Sequence, residues 1–158
     1  MKIVVFSDSH GNPMPLKKII KANQDADMFI HLGDGEGDVE EISKAIEDKR
    51  FLHVTGNCDW QSKCSYEKIA ICNGRRIFCS HGHRYGVKGG LAMLIDNAKA
   101  SQADIALFGH THCPVVDYLD GIYVMNPGSV SFPRDFEPPS YGIIDITEDG
   151  IEMDIIDV

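Results

Sequence analysis

The stretch Lys2-Ile3-Val4-Val5-Phe6-Ser7-Asp8-Ser9-His10 decides the fold class. Lys2–Ser7 is an apolar, β-branched run, the pattern of a strand buried on both faces. It breaks at once into Asp8-Ser9-His10, all of them groups with chemistry to offer. A buried strand that ends in a polar cluster is the opening of an α/β unit, in which ligands bind beyond the carboxyl ends of the strands.

The pattern recurs downstream. Pro13–Asn23 reads as a helix capped by Asn12 or Ser9, with Leu16, Ile19 and Ile20 on one face. Met28–Leu32 reads as the next strand and ends at Gly33-Asp34. A helix over Asp38–Asp48 follows, its inner face Val39, Ile42, Ala45 and Ile46. The third strand, Phe51–Thr55, ends at Gly56-Asn57-Cys58-Asp59. This β-α-β-α-β order predicts parallel strands with right-handed crossovers.

Hairpins then appear. Tyr66–Cys72 and Arg76–Ser80 flank Asn73-Gly74, a strong turn signal. Val115–Leu119 and Ile122–Met125 flank Asp120-Gly121, and Tyr141–Ile146 and Ile151–Ile156 flank Glu148-Asp149-Gly150. Between them lie a helix over Gly90–Ala100 and a buried strand over Ile105–Phe108. A parallel half followed by hairpins predicts two sheets packed face to face with helices outside.

Two later strands also end in chemistry, at His81-Gly82-His83 and Gly109-His110-Thr111-His112. Any one of the five clusters alone reads as a cap, a turn or a polar loop. Together the five clusters bring seven candidate ligands to one rim. Carboxylate, imidazole and amide oxygen suit divalent transition metals. Asp34, with two oxygens, is the natural bridge between a pair of cations. The glycines beside these residues permit close backbone approach.

The ordered series Asp-x-His, Gly-Asp, Gly-Asn-x-Asp, His-Gly-His and Gly-His-x-His resembles the five blocks of the calcineurin-like metallophosphoesterase superfamily. The short length, the Gly-Asn-Cys-Asp variant and the Asn126-Pro127-Gly128-Ser129 segment are most similar to its small bacterial and archaeal YfcE-type phosphodiesterases. The resemblance implies a four-layer α-β-β-α sandwich of two mixed sheets, forming one domain over residues 1–158. It implies a first cation on Asp8, His10 and His112, a second on Asn57, His81 and His110, and Asp34 bridging both with a hydroxide that attacks phosphorus. Mn²⁺ is the expected metal, with Ni²⁺, Fe²⁺, Zn²⁺ and Mg²⁺ as alternatives. His83 and Asp59 match motif positions outside the direct ligands, where they would orient a ligand or touch phosphate. Cys58 stands where many members have a histidine able to protonate the leaving group; a thiol is a weak donor. No serine is needed as a nucleophile.

Composition narrows the partners. The chain has 158 residues, 43 % of them apolar, and a formal charge of −9. It has no Lys/Arg run, which argues against dedicated binding of a nucleic-acid polymer. The opening apolar run is too short for a membrane span or secretory segment, so a cytoplasmic protein is expected. Five cysteines without regular spacing fit reduced thiols rather than a disulfide framework. The expected function is hydrolysis of a small phosphodiester. The same motifs admit a phosphomonoesterase, a nucleotide pyrophosphatase, or a protein-binding scaffold like the retromer subunit of this fold. Asn126–Ser129 reads as a turn beside the site, and Arg134 could meet substrate phosphate or an oligomer interface.

Overall fold

Three parallel strands form the first layer that matters: β1 (Lys2–Phe6), β2 (Met28–His31) and β3 (Arg50–His53), linked through α1 (Pro13–Ala22) and α2 (Glu36–Ser43). The structure is a computed structural model that describes residues 1–43, 46 and 49–158. Asn12 caps α1 by accepting from the Met14 N–H, and Pro13 occupies the first turn, where its missing N–H leaves no hydrogen bond unmade. The second helix begins at Glu36, two residues before the expected start. Val39, Ile42 and Ile46 are buried as expected, whereas Ala45 and the expected terminus at Asp48 lie outside the described residues.

The second sheet is built from β4 (Glu67–Cys72), β5 (Arg75–Ser80), β6 (Ile105–Leu107), β7 (Pro114–Leu119) and β8 (Ile122–Pro127), in the order β4-β5-β6-β8-β7. Here β5, β6 and β8 are parallel, and α3 (Ala92–Ala100) lies in the connection from β5 to β6. The last hairpin, β9 (Ser140–Ile146) with β10 (Ile151–Asp157), crosses back to the first sheet, whose order is β10-β9-β1-β2-β3. The sheets therefore do not divide into an N-terminal and a C-terminal half. β9 pairs antiparallel with β1, Ile3 opposite Ile144, and satisfies an edge of β1 that would otherwise present unpaired backbone.

Alternation along the strands produces four layers. Ile3, Val5, Met28 and Ile30 of the first sheet meet Ile77, Cys79, Ile105, Leu107 and Met125 of the second in the central core. Val4, Phe6 and Phe29 point the other way, against Leu16, Ile19 and Ile42 of the first two helices. Phe78, Ala106 and Val124 pack outward on Leu94, Ile95 and Ala98 of α3. Full burial of a side chain such as Phe29 contributes about 1.5–3 kcal/mol. The β1–β2 register, Val5 opposite Ile30, is thereby fixed, because a one-residue slip would exchange the two faces.

One expected boundary needs correction. Asn126 and Pro127 have strand backbone, and the turn lies beyond them, where Asn126 Oδ1 accepts the Gly128 N–H at 2.9 Å. They are the last residues of β8, opposite Val115 and Pro114, and the Asn126 carboxamide braces the loop after β6.

Candidate metal centre

Because β1, β2, β3, β5 and β6 all end at the same rim, their following loops are bonded into one body. Asp8 N–H donates to Gly33 O at 3.1 Å and His10 N–H to Asp34 O at 2.9 Å. Gly109 N–H donates to His81 O at 3.1 Å. Bonds also cross between the sheets, among them the His81 ring to Leu32 O at 2.7 Å and His110 N–H to Asp8 Oδ2 at 3.1 Å. Five of the seven predicted ligands, Asp8, His10, Asp34, His110 and His112, adopt left-handed backbone with φ between 48° and 67°. Non-glycine residues hold such conformations only where surrounding structure over-determines them, and they cluster at functional sites. Glycine is required at the close approaches. A Cβ on Gly56 would lie 2.0 Å from Asp34 Oδ1, and one on Gly109 would lie 2.1 Å from Ser7 Oγ.

The donor atoms converge on two points. Near the first, Asp8 Oδ1 is 3.1 Å from His112 Nε2 and 3.7 Å from His10 Nε2, and the two imidazole nitrogens are 3.3 Å apart. Near the second, His81 Nε2 is 3.1 Å from Asn57 Oδ1 and 3.4 Å from Asp34 Oδ2. Asp34 Oδ2 is also 3.9 Å from His10 Nε2, so this one oxygen stands between the two points. His110 shares the cleft, its ring centroid 5.1 Å from that of His81.

Hydrogen-bond logic shows that this donor set fits cations. A carbonyl oxygen only accepts, so His81 and His112 must carry Nδ1–H toward Leu32 O and Phe132 O. In the neutral rings both Nε2 atoms are then lone pairs facing other acceptors, Asp34 and Asn57 in one case and Asp8 in the other. Asp8 Oδ1 is buried and takes no hydrogen bond, while its other oxygen is occupied by Ser7 and the His110 N–H. Acceptors aimed at acceptors need positive charge between them. Protons on the rings can supply part of that charge, and the ionisation directions reflect it. Burial alone would raise Asp34, but the His81 hydrogen bond and charge, with the Cys58 N–H, hold it well below the usual carboxylate range. Contact with Asp8 pushes His112 up.

Of the other predicted site residues, Cys58 lines the cleft, and Asp59 lines an adjoining pocket with His10 and Asp34. Burial and the Asp34 carboxylate push the Cys58 thiol up to about 11. His83 packs between the rings of His81 and Tyr66, at 5.4 and 5.8 Å. Asp59 spends its carboxylate on four backbone N–H groups: Asp34 and Gly56 on one oxygen at 2.8 Å, Gly35 and Glu36 on the other at 2.8 and 2.9 Å. It clamps the loop after β2 to the loop after β3 and so positions Asp34. Asn126 braces Gly109 O and Thr111, and Ser129 donates to Asp8 O at 2.8 Å. Arg134 and Lys88 line the open cleft, which has a volume of about 1060 Å³.

Sequence reasoning missed a buried polar relay. Gly33 N–H donates to His31 Nδ1 at 3.1 Å, which leaves His31 Nε2–H for Ser9 Oγ at 3.2 Å. Ser9 in turn donates to Asp38 Oδ2 at 2.6 Å, and Gly11 N–H reaches the same oxygen at 2.9 Å. Ser9 is thus a strut between loops, its hydroxyl proton spent on Asp38. The available signal was a histidine closing an otherwise apolar strand.

Burial, the largest cause, lowers His31 from 6.5 to about 4. The unfolded chain takes up this proton first as pH falls, so the contribution is full above about pH 6.5 and is lost toward pH 4. The loss reaches about 3 kcal/mol. Urea unfolding of wild type and His31→Gln between pH 7 and pH 4.5 measures it. An equal pH slope in both proteins would refute this assignment.

A four-layer sandwich with these donors along one rim is the metallophosphoesterase fold. The pattern of the calcineurin-like phosphoesterase superfamily domain matches residues 1–149, and the chain belongs to that superfamily. It is 33 % identical to the probable metallophosphoesterase YsnB of Bacillus subtilis, over 99 % of this chain and 91 % of that one. It is 28 % identical to phosphodiesterase YfcE of Escherichia coli, over 92 % and 88 % of the two chains. A predicted phosphoesterase of Streptococcus pneumoniae of known structure superposes with a TM-score of 0.87 at 26 % identity, covering 99 % of this chain and 88 % of that one. Among the described residues no helix is long and apolar enough to cross a membrane.

Proposed function

We propose that the chain is a dinuclear phosphodiesterase in a single domain, acting on small phosphodiesters in the cytoplasm. The observation that carries this reading is the position of Asp34 Oδ2, 3.4 Å from His81 Nε2 and 3.9 Å from His10 Nε2, where one carboxylate oxygen faces both donor sets. Asp8, His10 and His112 would hold one cation, and Asn57, His81 and His110 the other, with Asp34 shared. Two bound divalent cations supply Lewis acidity toward the phosphoryl oxygens and a hydroxide nucleophile at neutral pH. Imidazole-rich donor sets favour Mn²⁺ over Mg²⁺, which prefers oxygen and retained water.

The protein's part is positioning. Asp59 fixes the Asp34 backbone, and the Leu32 and Phe132 carbonyls fix the rings of His81 and His112. The open cleft leaves room for a small diester, and the charge of −9 disfavours a long polyanion. Retention of every donor position supports an enzyme over a scaffold. Lys88 and Arg134 on the cleft wall favour a second anionic group on the substrate, so nucleotide pyrophosphates belong in the same test.

The test is a screen of mono-, di- and pyrophosphate esters after chelation and after resupply of Mn²⁺ or Mg²⁺. Activity should vanish on verified metal removal and return, with Mn²⁺ at least as effective as Mg²⁺. Full turnover by metal-free protein would end the proposal; better restoration by Mg²⁺ would overturn only the preference.

Cys58 predicts which esters are favoured. A thiol with a pKa of about 11 is a poor proton donor at neutral pH. General-acid help is worth about 10²–10⁴ in rate and matters most for alkoxide leaving groups. Aryl diesters should therefore outrun alkyl ones, Cys58→Ala should cost little on aryl diesters, and Cys58→His should raise kcat/KM selectively on alkyl diesters. Abolition of aryl activity in Cys58→Ala, with metals still bound, would give the thiol a chemical role denied here.

A further inference from the structure

Beside the start of α2, Glu36, His53 and Cys64 each bring one ligand atom within 4.8 Å of the others. His53 Nε2 lies 3.7 Å from Glu36 Oε1. All three residues are half-buried, and they come from different elements: the start of α2, the end of β3 and the loop before β4. The metallophosphoesterase reading uses none of these side chains.

We propose that Glu36, His53 and Cys64 form a further cation site, of the Zn²⁺ class, with water completing the coordination. A thiolate, an imidazole and a carboxylate make up a borderline-to-soft donor set. It suits Zn²⁺ or Co²⁺ and is wrong for Mg²⁺ or Ca²⁺. Three protein ligands with an open fourth position is an established zinc arrangement. With metal–ligand distances of about 2.0–2.3 Å, tetrahedral donors stand roughly 3.3–3.8 Å apart; His53 and Glu36 meet that spacing at 3.7 Å, and Cys64, within 4.8 Å of both, closes the site by side-chain rotation.

Lys68 Nζ is 3.1 Å from Cys64 Sγ, within reach to donate to a coordinated sulfur. Binding would release the Cys64 proton to solvent and leave Lys68 donating to the coordinated sulfur. Burial, with the Lys68 charge, also holds His53 below its ordinary range, as the neutral imidazole that a metal requires. Glu36 is anchored by its N–H on Asp59, so an ion here would tie the start of α2 to β3 beside the Asp59 clamp. Its expected effect is stabilisation of the loops that carry Asp34 and Asn57, because a ligand that binds only the folded chain raises its stability.

Co²⁺ titration of the whole chain tests the site through a thiolate-to-cobalt charge-transfer band, a count of bound ions, and the melting temperature. Wild type should show the band and bind one ion more than Cys64→Ser or His53→Gln. Both variants should lose the band and the cobalt-induced rise in Tm tied to that ion, yet retain Mn²⁺-dependent hydrolysis. Cys58→Ser, which alters the other thiol near a donor set, should keep the band. The proposal is overturned if Cys64→Ser binds as many ions as wild type, or if the band disappears with Cys58 instead. Hydrolysis is read separately, so failure of this site and failure of the dinuclear reading give different results.

Discussion

Asp34→Asn should reduce phosphodiester turnover by about 10³-fold or more, the scale of losing one preorganised electrostatic contact, while the protein stays folded. The two halves of the expectation rest on different oxygens. Oδ1 accepts the Cys58 N–H at 2.7 Å, and a carboxamide oxygen keeps that bond. Oδ2 faces His81 and His10, and there the amide removes the shared negative charge. Bound metal should fall with activity, whereas circular dichroism and Tm of the metal-free proteins should match. Wild-type turnover with both ions retained would refute the shared-ligand assignment.

Asp59→Ala should cost both stability and activity, although its carboxylate is spent on backbone N–H groups. It would leave the N–H groups of Asp34, Gly35, Glu36 and Gly56 without their acceptor. Unsatisfied buried donors cost about 1–3 kcal/mol each, less where water enters. A combined loss of about 3 kcal/mol corresponds to a Tm drop of roughly 6–12 °C in a domain of this size. Asp59→Asn keeps one acceptor oxygen and should recover part of the stability. Measured well below the new Tm, kcat should still be depressed in the alanine variant, because Asp34 is no longer held. An unchanged kcat would make Asp59 a stability residue only.

The polar clusters were legible because each interrupts an apolar run at the point where a strand must end. The hairpins at Asn73-Gly74 and Asp120-Gly121 were legible because turn chemistry is local. The return of β9 and β10 to the first sheet was not. It depends on Ile144 meeting Ile3 across most of the chain, and alternation within β9 does not name its partner. The relay through His31, Ser9 and Asp38 was hidden for a similar reason. A histidine inside Met28–Leu32 and an aspartate early in a helix acquire meaning only when the two loops are brought together. The four backbone partners of Asp59 could not be read from Gly-Asn-Cys-Asp.

The left-handed backbone at Asp8, His10, Asp34, His110 and His112 restricts the vocabulary of the site. Among non-glycine residues, aspartate, asparagine and histidine tolerate that conformation best, and all three also carry ligating atoms. Glycine would sit there more easily and bring no donor. Glutamate could ligate but is not among the residues enriched in this backbone. At these five positions a single steric rule and a single chemical requirement select nearly the same few amino acids, so a drift that satisfies one without the other leaves either a relaxed, inert loop or a donor the fold cannot hold.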